Sequence, residues 1–141
     1  MNMKRYEDIE IGDMAEVVHT ITDEDIQSFG RLSGDYNPLH FDEEWAKKTI
    51  FGGRIAHGLL TASYISNAIG MKLPGTGAIY LSQEMKFWKP VRIGDTITTK
   101  VTVIEKNDGK RRINLSTECK NQSDETILTR NAVIQLMHLE L

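Results

Sequence analysis

The amino-acid sequence predicts an α+β fold built on one antiparallel sheet, and two observations carry the prediction. Candidate helices all precede Pro74, whereas the chain after it alternates apolar and polar residues with the period of two that strands show. Helices and strands that occupy separate parts of a chain are typical of the α+β class. The length of 141 residues suits a single domain over residues 1–141.

The first half of the chain predicts one strand and two short helices. Residues 15–21 alternate as a strand does. Thr22, with Asp25 three residues later, predicts a capped helix start, and Gly34 predicts the end of that helix. Asp42 predicts the cap of a second helix, which ends near residue 48 and is followed by a loop. The apolar residues that share the predicted inner face of the first helix are Ile26, Phe29 and Leu32.

Residues 57–69 form the most apolar helix candidate. Apolar side chains cover most of its circumference, which predicts a buried helix. Four strands follow it, and the segment 107–110, Asn-Asp-Gly-Lys, predicts a hairpin turn between the second and the third. A sheet of this kind leaves an edge strand that a second copy of the chain could cover. The four predicted strands are 79–87, 97–103, 113–119 and 126–139.

Composition and charge exclude several classes of protein. The formal net charge of −3 and the lack of a basic stripe argue against a nucleic-acid partner. The longest uncharged stretch, residues 55–71, is too short and too polar for a membrane span. No apolar secretory signal begins the chain, and the single cysteine, Cys119, cannot form an intrachain disulfide or a multi-cysteine zinc site. We therefore expect a cytoplasmic protein without a membrane partner.

The segment Asp35-Tyr-Asn-Pro-Leu-His40 places a carboxylate and an imidazole on either side of a chain reversal, because Pro38 prevents a continuous helix. The two groups could hold one water molecule, and acid–base groups of this kind contribute roughly 10²–10⁴-fold to a rate. Considered alone, the segment fits an ordinary Asn-Pro turn better than a catalytic site, since Asp, Asn and Pro are common turn residues.

Gly58 falls at the predicted start of the apolar helix. A helix start presents unpaired N–H groups and the positive end of the helix dipole, and glycine allows a substrate carbonyl to approach the backbone. The alternative is that Gly58 only permits close helix–sheet packing, and the glycine by itself favours neither explanation.

Taken together, these segments resemble the MaoC-like family of (R)-specific enoyl-CoA hydratases. The resemblance rests on Asp35–His40, on Phe51-Gly-Gly-Arg-Ile-Ala-His-Gly58, on the apolar helix and on Leu81–Asp95, and it extends from about Gly12 to Met137. It implies a hot-dog fold, in which a long central helix is wrapped by a curved antiparallel sheet, here of about five strands.

The resemblance also implies roles for single residues. Asp35 and His40 would be the catalytic pair that holds the water, and Asn37 would order that site. Gly58 would donate its N–H to the thioester oxygen, and Ser66 would line the acyl pocket.

Two neighbours of the site are further candidates for substrate binding. Arg54 lies beside the site loop and could meet the phosphates of coenzyme A, although an arginine is more commonly just exposed. His57 is expected to shape the loop at the helix start rather than to catalyse.

The implied reaction is the reversible hydration of a trans-2-enoyl-CoA to an (R)-3-hydroxyacyl-CoA, without a metal or a redox cofactor, in a homodimer or larger homo-oligomer. The acyl carrier, coenzyme A or acyl carrier protein, stays open. No Asp or Glu lies between Trp45 and Glu84, whereas other hot-dog enzymes carry a catalytic carboxylate on the central helix. Two alternatives are an acyl-CoA thioesterase and a non-catalytic module that binds acyl thioesters.

Overall fold

The computed structural model describes residues 4–138, within which seven strands form one antiparallel sheet. The first and last three residues, and with them the end of the predicted strand 126–139 and of the predicted domain 1–141, lie outside the described part. The strands are β1 (Met14–Thr20), β2 (Ala78–Gln83), β3 (Lys86–Phe87), β4 (Thr96–Asn107), β5 (Arg112–Lys120), β6 (Thr126–Thr129) and β7 (Asn131–Leu136).

The seven strands occupy five rows. β1 pairs with β4, and β4 pairs with β5. β5 then pairs with both β6 and β7, which are successive segments of one row interrupted at Arg130. β3 pairs with β6 and β2 with β7, so β2 and β3 form the last row. The expectation of about five strands is thus met by five rows, although two predicted strands are each broken in two.

The helices precede β2, as predicted. They are α1 (Asp23–Ser33), α2 (Pro38–Phe41), α3 (Glu43–Ala46) and α4 (Gly58–Asn67). A π-helical segment, Ala68–Lys72, continues α4 beyond the predicted end of that helix. Within residues 4–138, no helix has the length and apolar character needed to span a bilayer.

The core lies between α4 and the sheet, where α4 packs on β1, β4 and β5. The predicted inward faces of the two long strands are confirmed, because alternate side chains from Ile97 to Val103 of β4 and from Ile113 to Cys119 of β5 are buried there. This arrangement is the hot-dog fold that the resemblance implies. The buried strand residues are Ile97, Thr99, Val101, Val103, Ile113, Leu115, Thr117 and Cys119.

Two burial predictions were wrong in part. Leu32 shares the helical spacing of Ile26 but is 87% exposed, because it lies in the last turn of α1, just before Gly34 ends that helix. Around α4, Leu60 and Ile65 are buried, whereas Leu59 is exposed. The apolar circumference of α4 is therefore only partly covered within one chain.

The start and the end of α1 follow from local chemistry. The Thr22 side chain accepts the Asp25 N–H, and the Asp25 carboxylate accepts the Thr22 N–H, which is the predicted capping box. Gly34 ends the helix in the left-handed conformation, with a φ of 79°. The two ends of α1 fix where the chain enters the Asp35–His40 segment.

We expect Thr22→Ala to lower the free energy of unfolding by about 1 kcal/mol, because one helix N–H loses its acceptor. Urea denaturation measures this change, and Thr22→Ser, which keeps a hydroxyl acceptor, is the matched control. Equal urea midpoints for Thr22→Ala and the unmodified protein would show that the capping box does not stabilise α1.

Candidate active site

The Asp35–His40 segment is a tight turn closed by two side chains. The Asp35 carboxylate accepts the Asn37 N–H at 3.1 Å, and the Asn37 side chain accepts the Leu39 N–H at 3.1 Å. Asn37 is thereby the N-cap of α2, and Pro38 occupies the first helical position, where its missing N–H is no loss. The Asn-Pro turn, which the sequence offered as the alternative to a catalytic site, is thus present. The same turn brings Asp35 and His40 together.

His40 is buried and has a defined proton position. Its Nδ1 lies 2.8 Å from the carbonyl oxygen of Ile55, which can only accept a hydrogen bond, so Nδ1 carries the hydrogen. In the neutral ring Nε2 therefore keeps its lone pair, and the tautomer leaves this nitrogen as the basic atom.

His57 contacts both Asp35 and His40. Its ring is buried, lies tilted against the His40 ring with 4.0 Å between centroids, and donates from Nε2 to the carbonyl oxygen of Asp35 at 3.0 Å. Burial lowers the pKa of His57 below its ordinary value, and the neighbouring His40 lowers it further, whereas the bond to Asp35 opposes the shift. His57 is thus held neutral and positions the loop, but it does not line the cavity described below.

One carboxylate oxygen of Asp35 and one ring nitrogen from each of His40 and His57 lie within 4.8 Å of one another. One water molecule with hydrogen bonds of about 2.8 Å can bridge a gap of this size between Asp35 and His40. One nitrogen of each ring already binds a backbone carbonyl oxygen, Nδ1 of His40 that of Ile55 and Nε2 of His57 that of Asp35. Each histidine therefore has only its other nitrogen available as a metal ligand.

Arg54 holds His40 from the other side. Its Nε donates to the His40 carbonyl oxygen at 2.7 Å, and its guanidinium pairs with Asp23 at 2.6 Å. The side chain is only 16% exposed, so it is occupied inside the protein and unsuited to the predicted contact with coenzyme A phosphates. The pair also lowers the pKa of Asp23, chiefly through the hydrogen bond. Arg54 is therefore a positioning residue that ties the site to α1.

Gly58 is the first residue of α4, with His57 as its N-cap. Its N–H has no acceptor among residues 4–138, as expected for the first turn of a helix. A Cβ at this position would lie 2.8 Å from Cε1 of Phe87. The glycine therefore leaves both an unpaired donor and the room that Phe87 and an approaching carbonyl require.

A cavity of about 340 Å³ lies beside His40 and Gly58. Most of the residues that line this cavity were not predicted from the sequence. Those on β3 and in the loop after it are distant from α4 along the chain, and they meet that helix only once the sheet has formed. Ser66 is exposed on α4 and does not line this cavity, so the structure of one chain does not support its predicted place in the acyl pocket. Besides His40 and Gly58, the lining residues are Phe51, Ile55, Ala56, Thr61, Phe87, Trp88, Lys89, Pro90, Val91 and Ile127.

The cysteine is not part of the site. Cys119 is buried on β5, where it contacts the Thr99 hydroxyl at 3.3 Å. Burial raises the pKa of its thiol to about 11, so it carries almost no thiolate at neutral pH and is no candidate nucleophile.

Comparison with known proteins identifies relatives of this chain. The family described as MaoC like domain matches residues 12–125. An (R)-specific enoyl-CoA hydratase from Rhodospirillum rubrum is 47% identical over 114 residues, which are 81% of this chain and 79% of that protein. A 3-hydroxybutyryl-CoA dehydratase from Methylorubrum extorquens is 42% identical over 93% of this chain and 83% of its own length. The unliganded R-hydratase from Pseudomonas aeruginosa superposes with a TM-score of 0.89 at 38% identity, covering 96% of this chain and 90% of that one.

The depressed pKa of His57 predicts a pH-dependent stability. The folded state binds a proton on the His57 ring less readily than the unfolded state does. The contribution of the neutral ring to the free energy of unfolding is therefore complete above the ordinary pKa of 6.5, and it is lost as the pH falls below that value. Urea denaturation at about pH 7.5 and about pH 5.5 should show a larger loss for the unmodified protein than for His57→Gln.

The ring protons of His57 provide a direct check. Their chemical shift in an NMR titration should have its midpoint below 6.5, and a midpoint at or above this value would contradict the assignment.

Proposed function

The chain belongs to the MaoC-like family, and on that premise we propose that it catalyses the reversible addition of water to a trans-2-enoyl-CoA, giving an (R)-3-hydroxyacyl-CoA. The carrying observation is that His40, whose Nε2 is the basic ring nitrogen, and Gly58, whose N–H is free, line one cavity, while a carboxylate oxygen of Asp35 lies within 4.8 Å of a ring nitrogen of His40. The R stereochemistry and the coenzyme A carrier come from the named relatives.

In the proposed mechanism, water sits between Asp35 and His40. The Asp35 carboxylate accepts a hydrogen bond from one O–H of the water, which stays intact as the hydroxyl group of the product, and orients the water oxygen toward C3 of the substrate. As the C3–O bond forms, Nε2 of His40 takes the other proton, and the π electrons move toward the thioester oxygen. The His40 imidazolium then returns its proton to C2, which restores both the enzyme and the thioester. The step needs neither a metal nor a redox cofactor.

Gly58 supplies the electrophilic side of the reaction. The thioester oxygen gains negative charge as water attacks, and the Gly58 N–H with the positive end of α4 stabilises that charge. One donor of this kind is worth roughly 2.7–4 kcal/mol in a related setting. The apolar lining of the cavity keeps bulk water away and strengthens the interaction.

Thioester hydrolysis is the main competing activity, because the same donor would polarise the carbonyl carbon. Two observations favour hydration. The helix α4 carries no carboxylate, since its sequence is Gly-Leu-Leu-Thr-Ala-Ser-Tyr-Ile-Ser-Asn. The relatives compared above are named as a hydratase and a dehydratase. Thiol release from butyryl-CoA, together with no loss of crotonyl-CoA absorbance, would favour the thioesterase instead.

We expect Asp35→Asn and His40→Ala each to reduce the hydration rate of crotonyl-CoA by about 10²-fold or more, because each removes one acid–base group. Loss of enoyl-thioester absorbance measures the rate, and longer enoyl-CoAs and enoyl-acyl carrier protein test the chain length and the carrier.

Asp8→Asn and His138→Ala are matched controls, since both residues are exposed. Among the described residues, Asp8 forms an ion pair with Arg5 at the short 3-10 turn Tyr6–Asp8. Both controls should retain the full rate. Near-normal rates in Asp35→Asn and His40→Ala would exclude the proposed chemistry, and binding of crotonyl-CoA without turnover would indicate a binding module.

We further propose that two chains associate through the row formed by β2 and β3. This row is an edge of the sheet, opposite β1, and it exposes a run of large apolar side chains. Unpaired strand edges with apolar side chains are unfavourable in water and are commonly covered by association. The exposed apolar residues of the row and its flank are Ile79, Tyr80, Leu81, Met85, Phe87 and Trp88.

A cytoplasmic location remains a prediction from the composition.

Leu81→Arg should shift the protein toward the monomer, because it places a charge in the proposed contact. Ile104→Arg is the matched control, since Ile104 on β4 is 44% exposed and Leu81 is 45% exposed. Light scattering coupled to size-exclusion chromatography measures the mass. A dimer that survives Leu81→Arg but not Ile104→Arg would place the contact elsewhere.

A further inference from the structure

Thr61 presents a hydroxyl group that the proposed mechanism has not used. The residue lies on α4, is 1% exposed, and lines the same cavity as His40 and Gly58. Its Oγ1 has no hydrogen-bond partner within the described residues.

An unpartnered hydroxyl is unusual at this position of a helix. A helical threonine commonly donates to the carbonyl oxygen four residues earlier, which here belongs to His57. That oxygen already accepts the N–H groups of Leu60, at 3.1 Å, and of Thr61, at 3.4 Å. The Thr61 hydroxyl therefore remains unpaired, which is destabilising for a buried polar group.

No acceptor of the cavity wall lies within hydrogen-bond distance of this hydroxyl, and the lone pair on Nε2 of the lining residue His40 is assigned to the water in the proposed mechanism. The lining side chains are mostly aliphatic or aromatic, and the ammonium group of Lys89 is itself a donor that pairs with Glu125. A molecule in the cavity would therefore have to supply the acceptor. The acyl part of an enoyl thioester contains one strong acceptor, the carbonyl oxygen, which has two lone pairs.

The position of Thr61 on the helix selects that oxygen. Residues three apart lie on the same face of a helix, and helical side chains lean toward the N-terminus. The Thr61 side chain therefore leans toward Gly58, whose N–H is the first donor.

We propose that the Thr61 hydroxyl is a second hydrogen-bond donor to the thioester carbonyl oxygen, beside the N–H of Gly58. The inference rests on the proposed hydration of an enoyl thioester. Both donors act most strongly when the oxygen carries the charge of the enolate, so Thr61 contributes chiefly to turnover.

The test compares Thr61→Val, which keeps the shape of the side chain but removes the hydroxyl, with Thr61→Ser, which keeps the hydroxyl. With crotonyl-CoA, Thr61→Val should lower kcat about 10-fold or more with little change in KM, and Thr61→Ser should recover most of the rate. Infrared difference spectra report the donors directly. The carbonyl stretch of crotonyl-CoA bound to Asp35→Asn should move back toward its free value when Thr61→Val is added.

Thermal stability separates this role from a structural one. Thr61→Val should melt no lower than the unmodified protein, because it removes an unpaired polar group. A lower melting temperature with an unchanged carbonyl stretch would show that Thr61 is structural. An active protein whose kcat is insensitive to Thr61→Val would overturn this inference alone, whereas an unmodified protein without hydratase activity would overturn the proposed function as well.

Discussion

The hydrogen bond from His57 to the carbonyl oxygen of Asp35 is the contact on which the geometry of the site depends. It joins two segments that are 22 residues apart, and His57 directly precedes Gly58, the first residue of α4. One imidazole thereby sets the distance between the proposed acid–base pair and the proposed carbonyl donor. The same ring contacts the His40 ring with 4.0 Å between centroids, and burial lowers the pKa of His57, which favours its neutral form.

The features that the sequence predicted well are governed by neighbours along the chain. The Thr22 cap and the left-handed turn at Gly34 each depend on hydrogen bonds within four residues. The alternation of β4 and β5 was equally clear, because each strand has one face against the core. Leu32 shows the limit of such patterns. Periodicity identifies residues that share a face, but it does not say how far along an element that face remains covered.

The positions of the site residues relative to one another depend on contacts between segments far apart in the sequence, which local patterns do not predict. The proximity of Asp35, His40 and Gly58 was anticipated from the family resemblance, since spacing alone favoured a simple turn. The partners of Arg54 lie 14 and 31 residues away, so its role at the His40 carbonyl could not be inferred from its position beside the loop. Ser66 illustrates the converse difficulty. A residue transferred from a family motif has the expected place on α4, but the structure of one chain leaves it outside the cavity.

The contact between Gly58 and Phe87 has an evolutionary consequence. The aromatic ring occupies the space that any larger residue at position 58 would need, and the same ring forms part of the cavity wall. A larger residue at position 58 would have to displace the Phe87 ring, and the displaced ring would reshape the cavity. Phe87 can be exchanged for a smaller residue without a clash at Gly58, whereas Gly58 cannot be exchanged without a response from Phe87. Among descendants of this protein, a side chain at position 58 is expected together with a change at position 87.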